Sequence, residues 1–158
     1  MSPVKPIPEG FRNVTPYLCV QGAAEALAFY QKAFGAKEVF RFSMPDGKIG
    51  HAEIQIGDSR IMLADEFPEM NFRGPKSLGG SPVLIHLYVE DVDAFATKAV
   101  EAGLKVVREV ADQFYGDRSG YFEDPFGHSW SISTHKEDVP PEELSKRMAE
   151  WSKEGKAC

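Results

Sequence analysis

The chain has 158 residues, 42% hydrophobic and 11% aromatic, enough apolar surface for one globular domain with a real core. Its net charge of −6 sets 24 acids against 18 lysines and arginines scattered along the sequence, so no basic stripe marks a nucleic-acid or anionic-membrane partner. No apolar run approaches a membrane span, the stretch from Met1 to Arg12 lacks an apolar signal core, and Cys19 and Cys158 have little reason to pair; a soluble cytoplasmic protein with two reduced thiols is expected.

Residues 13–20 alternate Val14, Pro16, Leu18 and Val20 against Thr15, Tyr17 and Cys19, the period of a strand, and Pro16 points to an edge that is not fully paired. From Gly22, the residues Ala23, Leu27, Tyr30 and Phe34 recur at helical spacing until Gly35 supplies the left-handed residue that stops a helix. Residues 36–43 read as a strand and Met44 to Gly47 as a turn. Residues 49–56 and 59–65 read as two more strands, joined tightly through Gly57 and Asp58. Residues 66–81 carry Phe67, Met70 and Phe72 among glycines and prolines; a loop this long is either a binding lid or a linker whose aromatics cap the core.

The same order then returns. A strand over 82–89 leads into a helix through Val92, Phe95, Ala96, Ala99 and Val100, stopped at Gly103. Strands over 104–110, 119–123 and 127–134 follow, the last two joined by a type I turn from Asp124 to Gly127. Asp138, Glu142 and Glu143 mark a further helix start, and Leu144, Met148 and Trp151 form an apolar stripe that needs a surface, on its own domain or on a second subunit. Two copies of strand, helix and three strands are an internal duplication, too few for a solenoid and suited to pairing. The expectation is an α+β protein: one domain over 1–137 made of two tandem βαβββ modules (13–65 and 82–135), a 66–81 loop between them, and a C-terminal helix and tail over 138–158.

This pair of modules, with Glu123-Asp124-Pro125-Phe126-Gly127-His128 before the last strand, resembles the vicinal oxygen chelate superfamily of glyoxalases, bleomycin-resistance proteins and extradiol dioxygenases. The phrases Val14-Thr15-Pro16-Tyr17-Leu18, Ala52-Glu53-Ile54, Met62-Leu63-Ala64-Asp65, His86 to Asp93 and Gln113 to Arg118 resemble its PhnB-like branch. The resemblance runs from about Asn13 to about Leu144. It implies that each module curls its sheet into half of a cup-shaped mixed sheet, that two halves enclose a small molecule, and that a homodimer often completes the cup. Metalloenzymes of the superfamily take His, Glu or Gln ligands from the first and last strands of the modules. The resemblance puts Thr15, Met62, Leu84 and Ser131 at those places, none a good ligand for zinc, iron or manganese, so no metal and no other cofactor is expected. A register slip of two residues would bring His86 to one of them.

Strand 49–56 puts Ile54 and Ile56 on one face and His51, Glu53 and Gln55 on the other, the face that would line the cup. Tyr17 and Cys19 from the first module, and His86, Tyr88 and Tyr121 from the second, complete a wall suited to an aromatic molecule. His51 and Glu53 are the candidate catalytic pair, a base and its orienting acid, unless they merely bond across strands or meet solvent. Tyr17, Gln55, His86, Tyr88 and Tyr121 are candidate ligand contacts, although tyrosines also fill cores and His86 also suits a base, a metal ligand or a satisfied polar residue. Asp117 and Arg118 read as a hairpin charge pair, or Arg118 receives an anionic ligand at the mouth. Cys19 reads as an inert core thiol, His128 as a turn residue and His135 as solvated. No nucleophile elbow, phosphate-binding glycine loop or metal-spaced cysteine set is present. The leading functional expectation is non-covalent binding of a small aromatic molecule. Its rivals are a lyase or isomerase using His51, Glu53 and His86, with a non-standard metal or by acid–base chemistry alone, and an interaction module using the last helix.

Overall fold

The computed structural model describes residues 3–155. The elements are β1 (Tyr17–Val20), α1 (Ala23–Phe34), β2 (Lys37–Ser43), β3 (Ile49–Ile56), β4 (Ser59–Asp65), α2 (Pro75–Leu78), β5 (Leu84–Tyr88), α3 (Val92–Glu101), β6 (Lys105–Asp112), β7 (Asp117–Glu123), β8 (Ser129–His135) and α4 (Pro141–Lys153). They form two four-stranded sheets of the same design, β1-β4-β3-β2 and β5-β8-β7-β6, with β1–β4 and β5–β8 parallel and the remaining pairs antiparallel. The architecture is α+β, two tandem βαβββ modules followed by a helix.

Each module anchors the start of its helix to the end of its last strand, with different side chains. In the first module the Asp65 carboxylate accepts from the Gly22 and Ala23 amides at 2.9 Å and from the Ile49 amide at 2.8 Å, which satisfies donors that a helix start leaves without partners. In the second, Thr134 accepts from the Val92 amide and donates to the Val89 carbonyl, while Asp91 caps the Ala94 amide. Helix α1 ends as its sequence directs, at left-handed Gly35.

One hydrophobic core serves both modules. Leu18, Ile54 and Leu63 from the first sheet and Phe122, Trp130 and Ile132 from the second close over α1 and α3, where Leu27, Tyr30, Val92 and Ala99 are all but fully buried. Burying a side chain such as Leu27 stabilises the fold by about 2 kcal/mol. Phe34 stacks on Phe95 and meets Trp130 edge-on, so the helices join the modules side by side. The far face of each sheet is thereby turned outward.

A second clasp comes from the β7–β8 turn. Buried Asp124 accepts from the Tyr30 hydroxyl of the first module at 2.6 Å and from the Trp130 indole at 2.9 Å, and its other oxygen accepts from the Phe126 and His128 amides. Burial, reinforced by Asp124 alongside, pushes the Tyr30 phenol well above its usual range. His128 therefore does more than shape its turn: its Nε2 lies 2.9 Å from the Cys19 carbonyl in β1 and ties the modules together.

Several elements depart from the expected bounds. The first and fifth strands are shorter, the first because Pro16 carries no N–H and only its carbonyl joins β4, accepting from Met62. β7 begins at Asp117 and β8 reaches His135, so Asp117 and Arg118 are strand residues with separate partners. Asp117 accepts from Tyr88 and pairs with His135, which also meets Asp138, while Arg118 pairs with Asp93 and Asp112. His135 is thus a bridging side chain and not merely a solvated one. Helix α4 docks on its own domain through Trp151 against Phe114 and through Arg147, which bonds Glu137, Glu143 and the Phe114 carbonyl; Met148 stays exposed. Cys158 lies outside the described residues. Among those residues, no helix is long and apolar enough to cross a membrane.

Candidate functional site

The outward face of the first sheet gathers three of the expected residues into a chain of contacts. Tyr17 on β1 and His51 on β3 are separated by β4 and sit one row apart on its open face: Tyr17 lies level with Met62 and Glu53, and its ring leans along the sheet to within 5.4 Å of the imidazole. The Tyr17 hydroxyl lies 2.7 Å from His51 Nδ1, and His51 Nε2 lies 3.2 Å from the Glu53 carboxylate. Burial first, then the neighbouring Cys19 and Glu53, raises the Tyr17 phenol above its ordinary value. The Glu53 carboxylate only accepts, so Nε2 carries the hydrogen toward it and, in the neutral ring, Nδ1 accepts from the Tyr17 hydroxyl; the other Glu53 oxygen lies 3.7 Å from Arg60. The chain therefore runs along one strand and across two others, beyond the simple cross-strand pairing that two polar neighbours on a sheet would make.

A cavity of about 590 Å3 opens beside this chain. Its walls are Tyr17, Phe42, Met44 and Ala64 of the sheet region and Phe67, Met70 and Phe72 of the loop between the modules. The loop is built to hold those rings. Phe67 and Phe72 exchange both backbone hydrogen bonds, a short helical turn lies between them, and Asn71 takes the left-handed conformation that closes it. Farther along, Glu66 accepts from the Gly74 amide at 2.6 Å and from Gln21, and its carboxyl is held low by hydrogen bonds from Ser77 and Gly74. Gly74 is required there by space, because a Cβ would come within 2.8 Å of the Cys19 carbonyl. The loop aromatics thus line a cavity, with Phe72 edge-on to Tyr17 at 5.7 Å. Cys19 beneath them is an unreactive thiol, pushed up to about 11 by burial and by Glu66 and Asp65.

His86, Tyr88 and Tyr121 share the outward face of the second sheet. His86, Ser131, Tyr121 and Arg108 form one cross-strand row, and Tyr88, Ser133 and Ser119 form the next. The His86 and Tyr88 rings are 4.5 Å apart, and Tyr88 donates to Asp117 at 3.0 Å. The Arg108 guanidinium carbon lies over the Tyr121 ring, 3.9 Å from its centroid. Gln55 lies on the first sheet's open face, its amide committed to the Gly57 carbonyl. Arg118 does not join either group. Its neighbours in register place it on the helix side of β7, where Asp93 and Asp112 occupy its guanidinium.

A larger cleft of about 900 Å3 runs between the β3–β4 tip and the ends of β5 and β8, touching His86, Tyr88, Glu90 and His135. The smaller cavity is the better candidate, since it is mostly apolar and shares Tyr17 with the Tyr17–His51–Glu53 chain. Sequence reasoning missed Phe42, Met44 and Arg108. For Phe42 the signal was available, because alternation along β2 puts it opposite His51.

Metal binding can be tested on the donors. Met62 sits beside Tyr17 and Glu53, Ser131 beside His86, and Leu84 beside Ser129. With Thr15, these four offer a thioether, an alkyl group and two hydroxyls, which do not fit a divalent ion. Among the described residues, no three His, Cys, Asp or Glu side chains converge on a point where one could be held. His86 is a lone imidazole beside Ser131.

The family model for the glyoxalase/bleomycin resistance protein/dioxygenase superfamily matches residues 12–132. An uncharacterized Mycobacterium tuberculosis protein, Rv0887c, is 45% identical over 139 residues, which are 86% of this chain and 82% of the relative. The X-ray structure of the Arabidopsis thaliana At5g48480 gene product is similar at 31% identity and a TM-score of 0.64, covering 78% of this chain and 98% of that one. The fosfomycin resistance protein FosX from Listeria monocytogenes, whose crystal structure holds Mn(II) and sulfate, shares the fold at 20% identity and a TM-score of 0.59, over 85% or more of both chains. The chain belongs to the glyoxalase/bleomycin resistance protein/dioxygenase superfamily.

Proposed function

We propose that this member of the superfamily, of its PhnB-like branch, captures a small aromatic molecule non-covalently in the cup and does so without a resident metal or other cofactor. The observation that carries the reading is the cavity of about 590 Å3 that five apolar side chains, Phe42, Met44, Phe67, Met70 and Phe72, line together with Tyr17. Such a wall rewards a flat ring by stacking and burial, while the Tyr17–His51–Glu53 chain offers a few polar groups to orient it. The donor chemistry of Thr15, Met62, Leu84 and Ser131 supports the metal-free part of the reading.

A homodimer belongs to the same reading. Both open faces point away from the shared helical core, and Phe40, Phe42, Leu84, Tyr88 and Val107 are exposed on or beside them. The chain exposes 10066 Å2, against about 7,900 Å2 for a compact monomer of its mass. The exposed lead over residues 3–10 and helix α4 carry part of that excess; the exposed apolar residues of the open faces suit a second copy, whose opposite module would close each half-cup.

The test is equilibrium binding of a panel of flat aromatic compounds to chelator-treated protein. We expect saturable binding that Phe72→Ala weakens about tenfold through the lost ring contact. No saturable binding across the panel would sink the reading. A second reading, acid–base catalysis of a lyase or isomerase type, is favoured by the Tyr17–His51–Glu53 chain, since a phenol and a carboxylate on either side of an imidazole can relay a proton. Turnover of a bound compound in chelator-treated protein, lost in His51→Gln, would select it.

A further inference from the structure

The second open face holds a cation without a counter-ion. Val106 and Val110 of β6 pack against the core, and strict alternation would send Arg108 with them. Irregular register on both sides, between Val106 and Arg108 and again between Arg108 and Ala111, turns Arg108 onto the open face instead, opposite Tyr121. There its guanidinium is half-buried, its Nε is out of contact with solvent, and no hydrogen-bond partner meets that nitrogen. Five of the seven arginines, Arg12, Arg41, Arg60, Arg118 and Arg147, sit in ion pairs among the described residues; Arg108 does not, in a chain with 24 acids.

The surroundings point to what the cation awaits. Ser131 and His86 lie in the same row as Arg108 and Tyr121, and in the next row Ser133 is fully buried with its hydroxyl unpartnered. The acids of this face do not answer Arg108: Asp117 is taken by His135 and Tyr88, and Glu123 forms no ion pair with it among the described residues. A partly desolvated charge left unpaired is costly, whereas a guanidinium held over a ring keeps a planar fork of donors that matches a carboxylate.

We propose that Arg108, held on Tyr121 at the β6 edge of the second open face, is the receptor for the carboxylate of the cup's ligand, which makes that ligand an aromatic acid. This rests on the aromatic-cup reading above. The apolar cavity of one module would take the ring and the cationic face of the other module its acid group.

The test uses a matched pair, 2-naphthoate and 2-naphthamide, titrated into the intact protein by calorimetry. We expect the acid to bind at least about tenfold more tightly than the amide. Arg108→Gln brings the acid down to the level of the amide and leaves the amide within about twofold, and Arg108→Lys falls between, keeping charge without the fork. Unfolding midpoints of both variants check that they fold, and the lysine variant decides the matter if the glutamine variant does not. Equal binding of acid and amide to the parent protein, or a preference that survives the substitutions, overturns the inference and leaves the aromatic cup standing. Binding of neither compound removes the aromatic reading and this inference with it.

Discussion

The two open faces share a backbone and differ in almost every side chain. In the first module the central row is Tyr17, Met62, Glu53 and Phe40; in the second, the row in the same register is His86, Ser131, Tyr121 and Arg108. One is ring, thioether, acid and ring, and the other is imidazole, hydroxyl, phenol and cation. Below the sheets the modules are alike in task if not in residue, since Asp65 and Thr134 each tie a helix start to a strand end. Duplication holds fixed what the core and the helix starts demand and leaves the open faces free, so ligand chemistry is to be sought where the modules disagree.

The largest expected effect breaks the join between the modules. Asp124→Ala strips partners from the Tyr30 hydroxyl and the Trp130 indole, both almost fully buried, and from the Phe126 and His128 amides. Leaving several buried donors without acceptors costs about 3–5 kcal/mol. Urea unfolding would measure it, and a loss below about 1 kcal/mol would mean that the helices alone hold the modules together.

Next comes the contrast between helix anchors. Asp65→Ala frees three amides at once and should cost about 2–3 kcal/mol, while Thr134→Val, which loses one accepted and one donated bond, should cost about 1 kcal/mol. Equal losses in the two variants would show that the charge on Asp65 adds nothing over a hydroxyl.

Which of these features could be read from the sequence follows from how far apart their parts lie. The helices and strands are local: β3 and β4 carry the bounds that alternation and the Gly57-Asp58 turn give, and α1 stops at Gly35 as glycine dictates. The pairing of Tyr17, His51 and Glu53 on one face followed from counting alternate residues along two strands. Arg118 obeys the regular β7–β8 register, in which alternation with Phe122 puts it on the helix side, whereas Arg108 escapes counting because the register slips on both sides of it, and a bulge depends on the partner strand as much as on its own. The clasp was out of reach for a different reason. Tyr30 meets Asp124 across 94 residues and His128 meets Cys19 across 109, and neither pairing leaves a periodic trace.

The smallest effect belongs to the second module alone and depends on pH. His135 places one ring nitrogen 2.7 Å from buried Asp117 and the other 2.8 Å from Asp138, while Tyr88 donates to the same Asp117 carboxylate. Hydrogen bonds from the imidazole to Asp117 first, and then to Asp138, raise its pKa above the ordinary value of about 6.5. A group raised in the folded state binds its proton more tightly there than in the unfolded chain. Its contribution is therefore fully present below the unfolded value and is lost as pH rises through the folded one. Urea midpoints taken from pH 5.5 to pH 8.5 should fall with this component, and His135→Gln should flatten it without moving the alkaline end. The ring is exposed, so solvent screening keeps the component small, and it should shrink further in high salt. Because His135 and Asp138 lie between β8 and α4, the same titration should loosen the docking of Trp151 on Phe114. Tryptophan emission followed across that pH range would report it, and an unchanged spectrum would confine the effect to the strand.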